Sequence, residues 1–294
     1  MGSRGRTKRS TSPIEWPTLA LAVIIYGGWL ALTAWHAALP LPVLVIVGGW
    51  LIAWQGSLQH EVIHEHPTRN RWINDAIGFS PLSLWLPYAV YRREHTGHHT
   101  TDHLTDPNHD TESNYLPHHG GVAHLLGAIE ATLAGRMVFG PPLRVARFWR
   151  SELHRATIDP RGVAREWLPH LAGVALVLGW LQHVGLSLPV YVLGMVWPGT
   201  ALLLIRSFAE HRASPDPAAR TALVADFGPL ALLFLNNNLH PWHHARPDVP
   251  WYALPALYHA DSQAFARAPR YSGYGTVIAR YLFRQHDTIV HPGA

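Results

Sequence analysis

The sequence predicts an all-α integral membrane protein: four transmembrane helices, paired as two hairpins, carrying a cytoplasmic helical cap that bears clustered histidines. Three observations lead there. Two stretches, Trp16 to Gln59 and Trp167 to Ile205, contain no Asp, Glu, Lys or Arg, and each is long enough for two spans of roughly 20 residues, the length at which a helix crosses a bilayer. Basic residues sit beside these stretches: Arg4, Arg6, Lys8 and Arg9 before the first, and Arg136, Arg144, Arg147, Arg150, Arg155, Arg161 and Arg165 between the two. Finally, the 22 histidines of the 294-residue chain gather in clusters just beyond the apolar runs.

The net charge of +4 and the pI near 9.6 do not call for a nucleic-acid partner, because the distribution of basic residues follows membrane topology. By the positive-inside rule both basic segments face the cytoplasm, and only the turns near Pro40 and Gly185 face outward. That puts every histidine cluster on the cytoplasmic side. The absence of cysteine excludes disulfides, Fe–S clusters and thiolate-ligated haem within this polypeptide, so any metal must rest on imidazole and oxygen.

Taken in order, residues 1–15 form a basic cytoplasmic tail, and the membrane domain covers 16–251. The first span runs over about 17–38 and is read as a membrane helix rather than a cleaved signal peptide, since its apolar run leads straight into another. Leu39-Pro40-Leu41-Pro42 turns the chain. The second span, about 43–58, has no breaker at its end and continues into His60-Glu61-Val62-Ile63-His64. Residues i and i+4 of a helix share a face, so His60 and His64 can address one site, while His66 reads as an interfacial polar residue. Residues 70–91, broken by Gly78, Pro81 and Pro87, suit an interfacial or re-entrant segment. A membrane-surface helix over 120–139 and a cytoplasmic one over 141–166 then lead to spans at about 167–183 and 188–205. His211 emerges from the fourth span as His60 does from the second. The tail, 252–294, is predicted to pack on the cap.

The chemistry lies in the histidine spacing. His95-Thr-Gly-His98-His99 and His240-Pro-Trp-His243-His244 repeat the pattern His-x-x-His-His, which this composition would produce by chance about 0.1 times. Between them, Asp102, Asp106, Asp110 and Glu112 offer carboxylates that could fix imidazole tautomers from outside a metal site. Asn236 and Asn237, in an amide run just before His240, are candidates for the same outer layer. Eight clustered histidines exceed the three or four protein ligands of a tetrahedral zinc site, so two metals are the economical reading. Imidazole alone does not choose among Zn, Cu, Fe and Ni. A metal pair beside an apolar bundle points to lipid-like chains, and an unactivated C–H bond needs an oxidant such as iron with O2.

His60-xxx-His64, His95-xx-His98-His99 and His240-xx-His243-His244, in that order between two hydrophobic hairpins, resemble the three histidine boxes of the membrane-bound fatty-acid desaturase superfamily, over about Trp16 to Trp251. The segments His64-Glu65-His66-Pro67-Thr68 and Leu239 to His244 resemble its small bacterial members, including those acting on amino-acid-derived compounds. The resemblance implies a non-haem di-iron centre, O2 as oxidant and the eight box histidines as ligands, with His211 as the ninth. Ser207 stands where the stearoyl-CoA branch often places an Asn.

No flavin, dinucleotide or ferredoxin motif appears, so electrons are expected from a separate ferredoxin or cytochrome with its reductase, for which the basic segment 136–165 is a candidate docking face. The expected reaction is formation of a C=C bond in a fatty-acyl or lipid-like chain. The alternatives are a hydroxylase or ketolase on the same scaffold and, in another class, a membrane metal-binding or transport protein.

Overall fold

The structure, a computed structural model, describes residues 14–293; residues 1–13, most of the predicted basic tail, lie outside the described residues. Helices dominate. α1 (Trp16–Ala34) and α2 (Leu41–Ile63) are joined by a short turn through Pro40 and pack along one another. α3 (Arg71–Gly78) starts where the Asn70 side chain accepts the Trp72 N–H, a standard N-cap that satisfies one of the free amides of a first turn. α4 (Tyr88–Thr100) carries the second histidine cluster.

α5 (Gly121–Glu130) and α6 (Leu133–Ile158) replace the predicted helices over 120–139 and 141–166. The break falls at Thr132, whose hydroxyl caps α6 by accepting the Gly135 N–H, and α6 runs through Pro141 and Pro142. α7 (Pro160–Val184) ends at Gly185, whose φ of 76° suits a residue without Cβ. α8 (Leu188–Ala209) includes a π-helical turn at Val192–Val196.

Among the described residues three helices, α1, α2 and α8, are long and apolar enough to cross a membrane. The predicted third span, about 167–183, lies within α7, where Pro169, His170, Gln182 and His183 dilute the apolar run. α2 and α8 form the spine of the bundle. They meet so closely that a Cβ on Gly199 would sit 2.9 Å from the Gly49 carbonyl oxygen and 2.6 Å from Ile52 Cβ, and small residues permit such an approach between apolar helices.

Residues 79–87, between α3 and α4, are non-helical apart from a brief turn, yet Leu82 is buried among side chains of α1, α2, α7 and α8. Backbone in apolar surroundings needs partners for its polar groups, and side chains of the bundle supply them. Gln55 donates to Ser80 O and Gln59 to Gly78 O, both at 2.8 Å. Tyr191 donates to Leu82 O at 2.6 Å and accepts from Trp29 Nε1 at 3.1 Å. The polar residues inside these apolar helices are therefore bound to the irregular segment. Tyr191→Phe should cost about 1–3 kcal/mol for each partner left buried and unpaired, read as a lower unfolding temperature of the detergent-solubilised protein.

The C-terminal region packs on the rest. A two-residue parallel pairing joins β1 (Leu223–Val224) to β2 (Arg270–Tyr271), and Tyr271, Tyr274, Val277 and Tyr281 share one core with Phe208, Ala209 and Phe234. α9 (Pro229–Leu233), α10 (His240–Ala245), α11 (Leu254–Ala260) and α12 (Tyr274–Tyr281) are the short helices of this region.

Candidate metal centre

α2 delivers His60 within its last turn and His64 as its C-cap residue. α4 delivers His95, His98 and His99, His211 follows the end of α8, and α10 delivers His240, His243 and His244. All nine histidines meet in two adjoining groups. His60, His64, His95, His99 and His243 form one, and His98, His211, His240 and His244 the other; in each group the ligand-capable atoms lie within 4.8 Å of one another. The groups touch where the His99 and His244 rings stack at 4.3 Å. Each box with three histidines thus divides between both groups.

The donor chemistry fits a metal in each. The Nδ1 atoms of three rings are taken from outside: His95 by Glu112 at 3.0 Å, His98 by Asp110 at 2.7 Å, and His211 by the Arg220 carbonyl at 3.2 Å. An acceptor at Nδ1 holds the proton there and leaves Nε2 as a lone pair. Nε2 atoms so fixed face one another between His98 and His211 at 3.1 Å, and His211 Nε2 faces that of His240, whose Nδ1 lies by Asn237 Oδ1, at 2.8 Å; the Nε2 atoms of His64 and His95 at 2.9 Å and of His99 and His243 at 3.2 Å are as close. Among the described residues, the Nε2 atoms of His60 and His244 are buried without a hydrogen-bond partner. Facing lone pairs and buried orphan nitrogens are what a bound cation would satisfy.

Electrostatics agree. Burial, then the neighbouring imidazoles, hold His240, His243 and His244 well below the ordinary 6.5, and the same causes take His99 to about 2 and His211 to about 3. Burial opposes ionisation of Glu112, yet His95 beside it keeps its carboxyl below the usual range. His98 shifts upward because Asp110 and Glu112 outweigh its burial.

A buried imidazole with a lowered value binds fewer protons folded than unfolded, so its contribution to stability falls as pH drops below 6.5. Metal-stripped protein should therefore melt several degrees lower at about pH 5.5 than at about pH 7.5, and a flat or opposite profile in a thermal scan would contradict this electrostatic picture.

The outer residues divide. Asp110 is buried and also accepts the Thr105 and Glu112 N–H groups at 2.7 and 2.9 Å. Asn237 lies 3.4 Å from His240 Nδ1 and donates to Glu210 at 2.8 Å. Three expected residues point elsewhere. Asp102 is solvent-exposed; Asp106 accepts the Asn108 N–H at 2.8 Å and pairs with exposed His109; Asn236 adopts φ 57° in the turn before α10 and donates to Trp251 O at 3.0 Å. Glu210, buried between Arg206 and His240, is new; its place directly before His211 was the available signal.

His66 is not interfacial. It is 4% exposed and bonds Glu15 at 2.8 Å. Burial would lower it, but the Glu61 and Glu15 carboxylates push it up to about 9. With the Trp251 N–H donated to Glu61 at 3.0 Å, this cluster ties the start of α1 to the end of α2.

The family model for fatty acid desaturases matches residues 33–275. The chain belongs to the fatty acid desaturase family. This desaturase-family chain is 25% identical over 289 residues to the sphingolipid delta(4)-desaturase/C4-monooxygenase DES2 of Homo sapiens, spanning 92% of this chain and 80% of that one. It is 28% identical over 255 residues to the beta-carotene ketolase of Paracoccus sp. (strain PC1), spanning 81% and 90%. No solved structure matches the chain. Family and relatives support an enzyme of the oxidoreductase class, and the three apolar helices support an integral membrane protein. The family is generally di-iron, in keeping with histidine groups able to bind metal.

Proposed function

We propose that the chain is an O2-dependent di-iron membrane oxidoreductase that introduces a C=C double bond into a fatty-acyl or lipid-like chain. The observation that carries this reading is that the first histidine group adjoins an apolar cleft through Glu112, the partner of His95. The cleft, about 260 Å³, opens between α2, α4, α6 and α8 and is lined by Ile52, Leu86, Val90, Phe148, Leu203 and Leu204. Glu112, which holds His95, is part of its wall, so a chain lying there passes within one side chain of the imidazoles.

One iron in each histidine group would supply, with O2, an oxidant strong enough for an unactivated C–H bond. The protein's own contribution is positional. Asp110, Glu112 and the Arg220 carbonyl hold the Nδ1 protons of His98, His95 and His211, Glu210 and Asn237 orient His240, and the apolar walls keep water from the chain. The net change, –CH2–CH2– with O2, two electrons and two protons to –CH=CH– and two waters, needs an external reductant, a ferredoxin or cytochrome with its reductase. On this reading α7 also crosses the membrane, as the third of four spans, and both termini and the histidines face the cytoplasm of a bacterial inner membrane.

A hydroxylase or ketolase is the second reading, favoured by the names of the Paracoccus and human relatives. Cells expressing the protein and fed a labelled acyl chain should accumulate the olefin; an alcohol or ketone without olefin would shift the assignment to the second reading. Stoichiometric zinc without iron in protein made under iron-replete conditions would overturn both.

A further inference from the structure

The basic segment between α5 and α7 does not face outward as a whole. Arg136, Arg144 and Arg147 of α6 line a second cavity, about 140 Å³, that also touches His211. Its wall shares Asn114, Arg144 and Ser207 with the apolar cleft, so the two spaces meet at Arg144. The charges around it do not balance. Glu130, 4% exposed, pairs with Arg147, and its carbonyl accepts Arg136 Nε at 3.0 Å. Arg136 also lies over the Phe208 ring at 5.1 Å.

Arg144 donates to Asn114 Oδ1 at 2.5 Å, while its Nε is buried without a hydrogen-bond partner among the described residues. The other nearby carboxylates are engaged: Asp287 by Tyr115, the Ala213 N–H and Arg212, Glu112 by His95 and Glu94 by Arg93. Three guanidiniums therefore surround the space with one carboxylate left to pair. Burial and the mutual repulsion of these cations pull Arg136 down to about 10, Arg147 keeps a 39% exposed side chain, and clustered cations of this kind favour an oxyanion ligand.

We propose that the substrate is an amphiphile with an anionic head, a carboxylate or a phosphate, held by Arg136, Arg144 and Arg147 while its apolar chain lies in the cleft past Glu112. This rests on the reading of the cleft as the substrate site, and it selects acidic lipids over neutral alcohols, esters and hydrocarbons. Arg144 sits at the junction, where head and chain meet.

The test is equilibrium binding of radiolabelled palmitate, hexadecyl phosphate and hexadecanol to the full-length protein in phosphatidylcholine nanodiscs, with empty discs subtracted. At least one anionic ligand should bind at least ~10-fold more tightly than hexadecanol, and Arg144→Gln should remove most of that difference while leaving hexadecanol unchanged. The stronger of the two anions identifies the head. Equal binding of all three, no binding of either anion, or displacement of palmitate by equimolar inorganic phosphate would overturn the proposal. The native protein's ligand series decides even if Arg144→Gln does not fold, and Arg144→Lys should recover part of the preference.

Binding requires neither iron nor O2. Charge selectivity without any oxidised product would sink the oxidoreductase reading and keep the head-group site, and oxidation of neutral chains with no charge selectivity would do the reverse.

Discussion

Replacing His98 with Ala should abolish turnover, a loss beyond the 10–100-fold typical when an outer partner of a metal ligand is removed, and should lower bound iron. His98 is 2% exposed and linked on both sides: Nδ1 to Asp110 at 2.7 Å and Nε2 to His211 at 3.1 Å. Its ring also neighbours His99 of the other group at 5.6 Å and His244 at 5.0 Å. Removing it takes a nitrogen from a four-histidine group, which has none to spare, and leaves the Asp110 carboxylate buried with only backbone amides. Asp102→Ala, exposed and away from both groups, is the control and should keep native iron content and activity. Iron per protein by elemental analysis, with product formation in the same preparation, checks both; native iron and turnover in the His98 variant would remove the second group from the mechanism.

Local periodicity made the clusters legible, because helix residues three and four apart share a face. It did not show how the clusters divide. His98 and His99 are adjacent, as are His243 and His244, and adjacent helix positions diverge by about 100°, so each pair sends its members to opposite groups. The spacing says which residues converge, but only the packing of α2, α4 and α10 decides which converge together.

Partners distant in sequence were harder to see. Asp102, Asp106 and Asp110 look equivalent in one acidic stretch, yet of the three it is Asp110 that bonds an imidazole of the two histidine groups, where the Thr105 and Glu112 amides fix it, while Asp106 pairs with exposed His109. The arginines of 136–165 read as one basic surface. Their spacing held only part of the signal: Arg136, Arg144 and Arg147 recur at intervals of eight and three, one side of a helix, but Arg150, three residues on, continues the same side and is exposed. The segment 79–87 kept its irregular backbone because Gln55 and Tyr191, each distant in sequence, satisfy carbonyls of Ser80 and Leu82, and Gln59 satisfies that of Gly78 just before it.

Glu210→Ala should have the largest effect on stability, and its consequences separate into two parts that can be measured independently. Glu210 is 3% and Arg206 9% exposed, and they pair at 3.2 Å. Removing one member of a buried pair strands the other charge at a cost of about 3–5 kcal/mol, whereas replacing both with apolar residues of similar size is often close to neutral. Metal-stripped Glu210→Ala should therefore unfold well below the native protein, and Arg206→Met combined with Glu210→Met should recover most of the loss.

Iron affinity should not follow that recovery. Glu210 accepts Asn237 Nδ2 at 2.8 Å and stands 3.7 Å from His240 Nδ1, so both variants lose the carboxylate that orients His240 and should bind iron about 10–100-fold more weakly. A double variant restored in both stability and affinity would mean that Asn237 alone positions His240 and that Glu210 serves only to neutralise Arg206. Recovery of stability alone assigns Glu210 both tasks, which its position between a buried cation and a metal-facing imidazole requires.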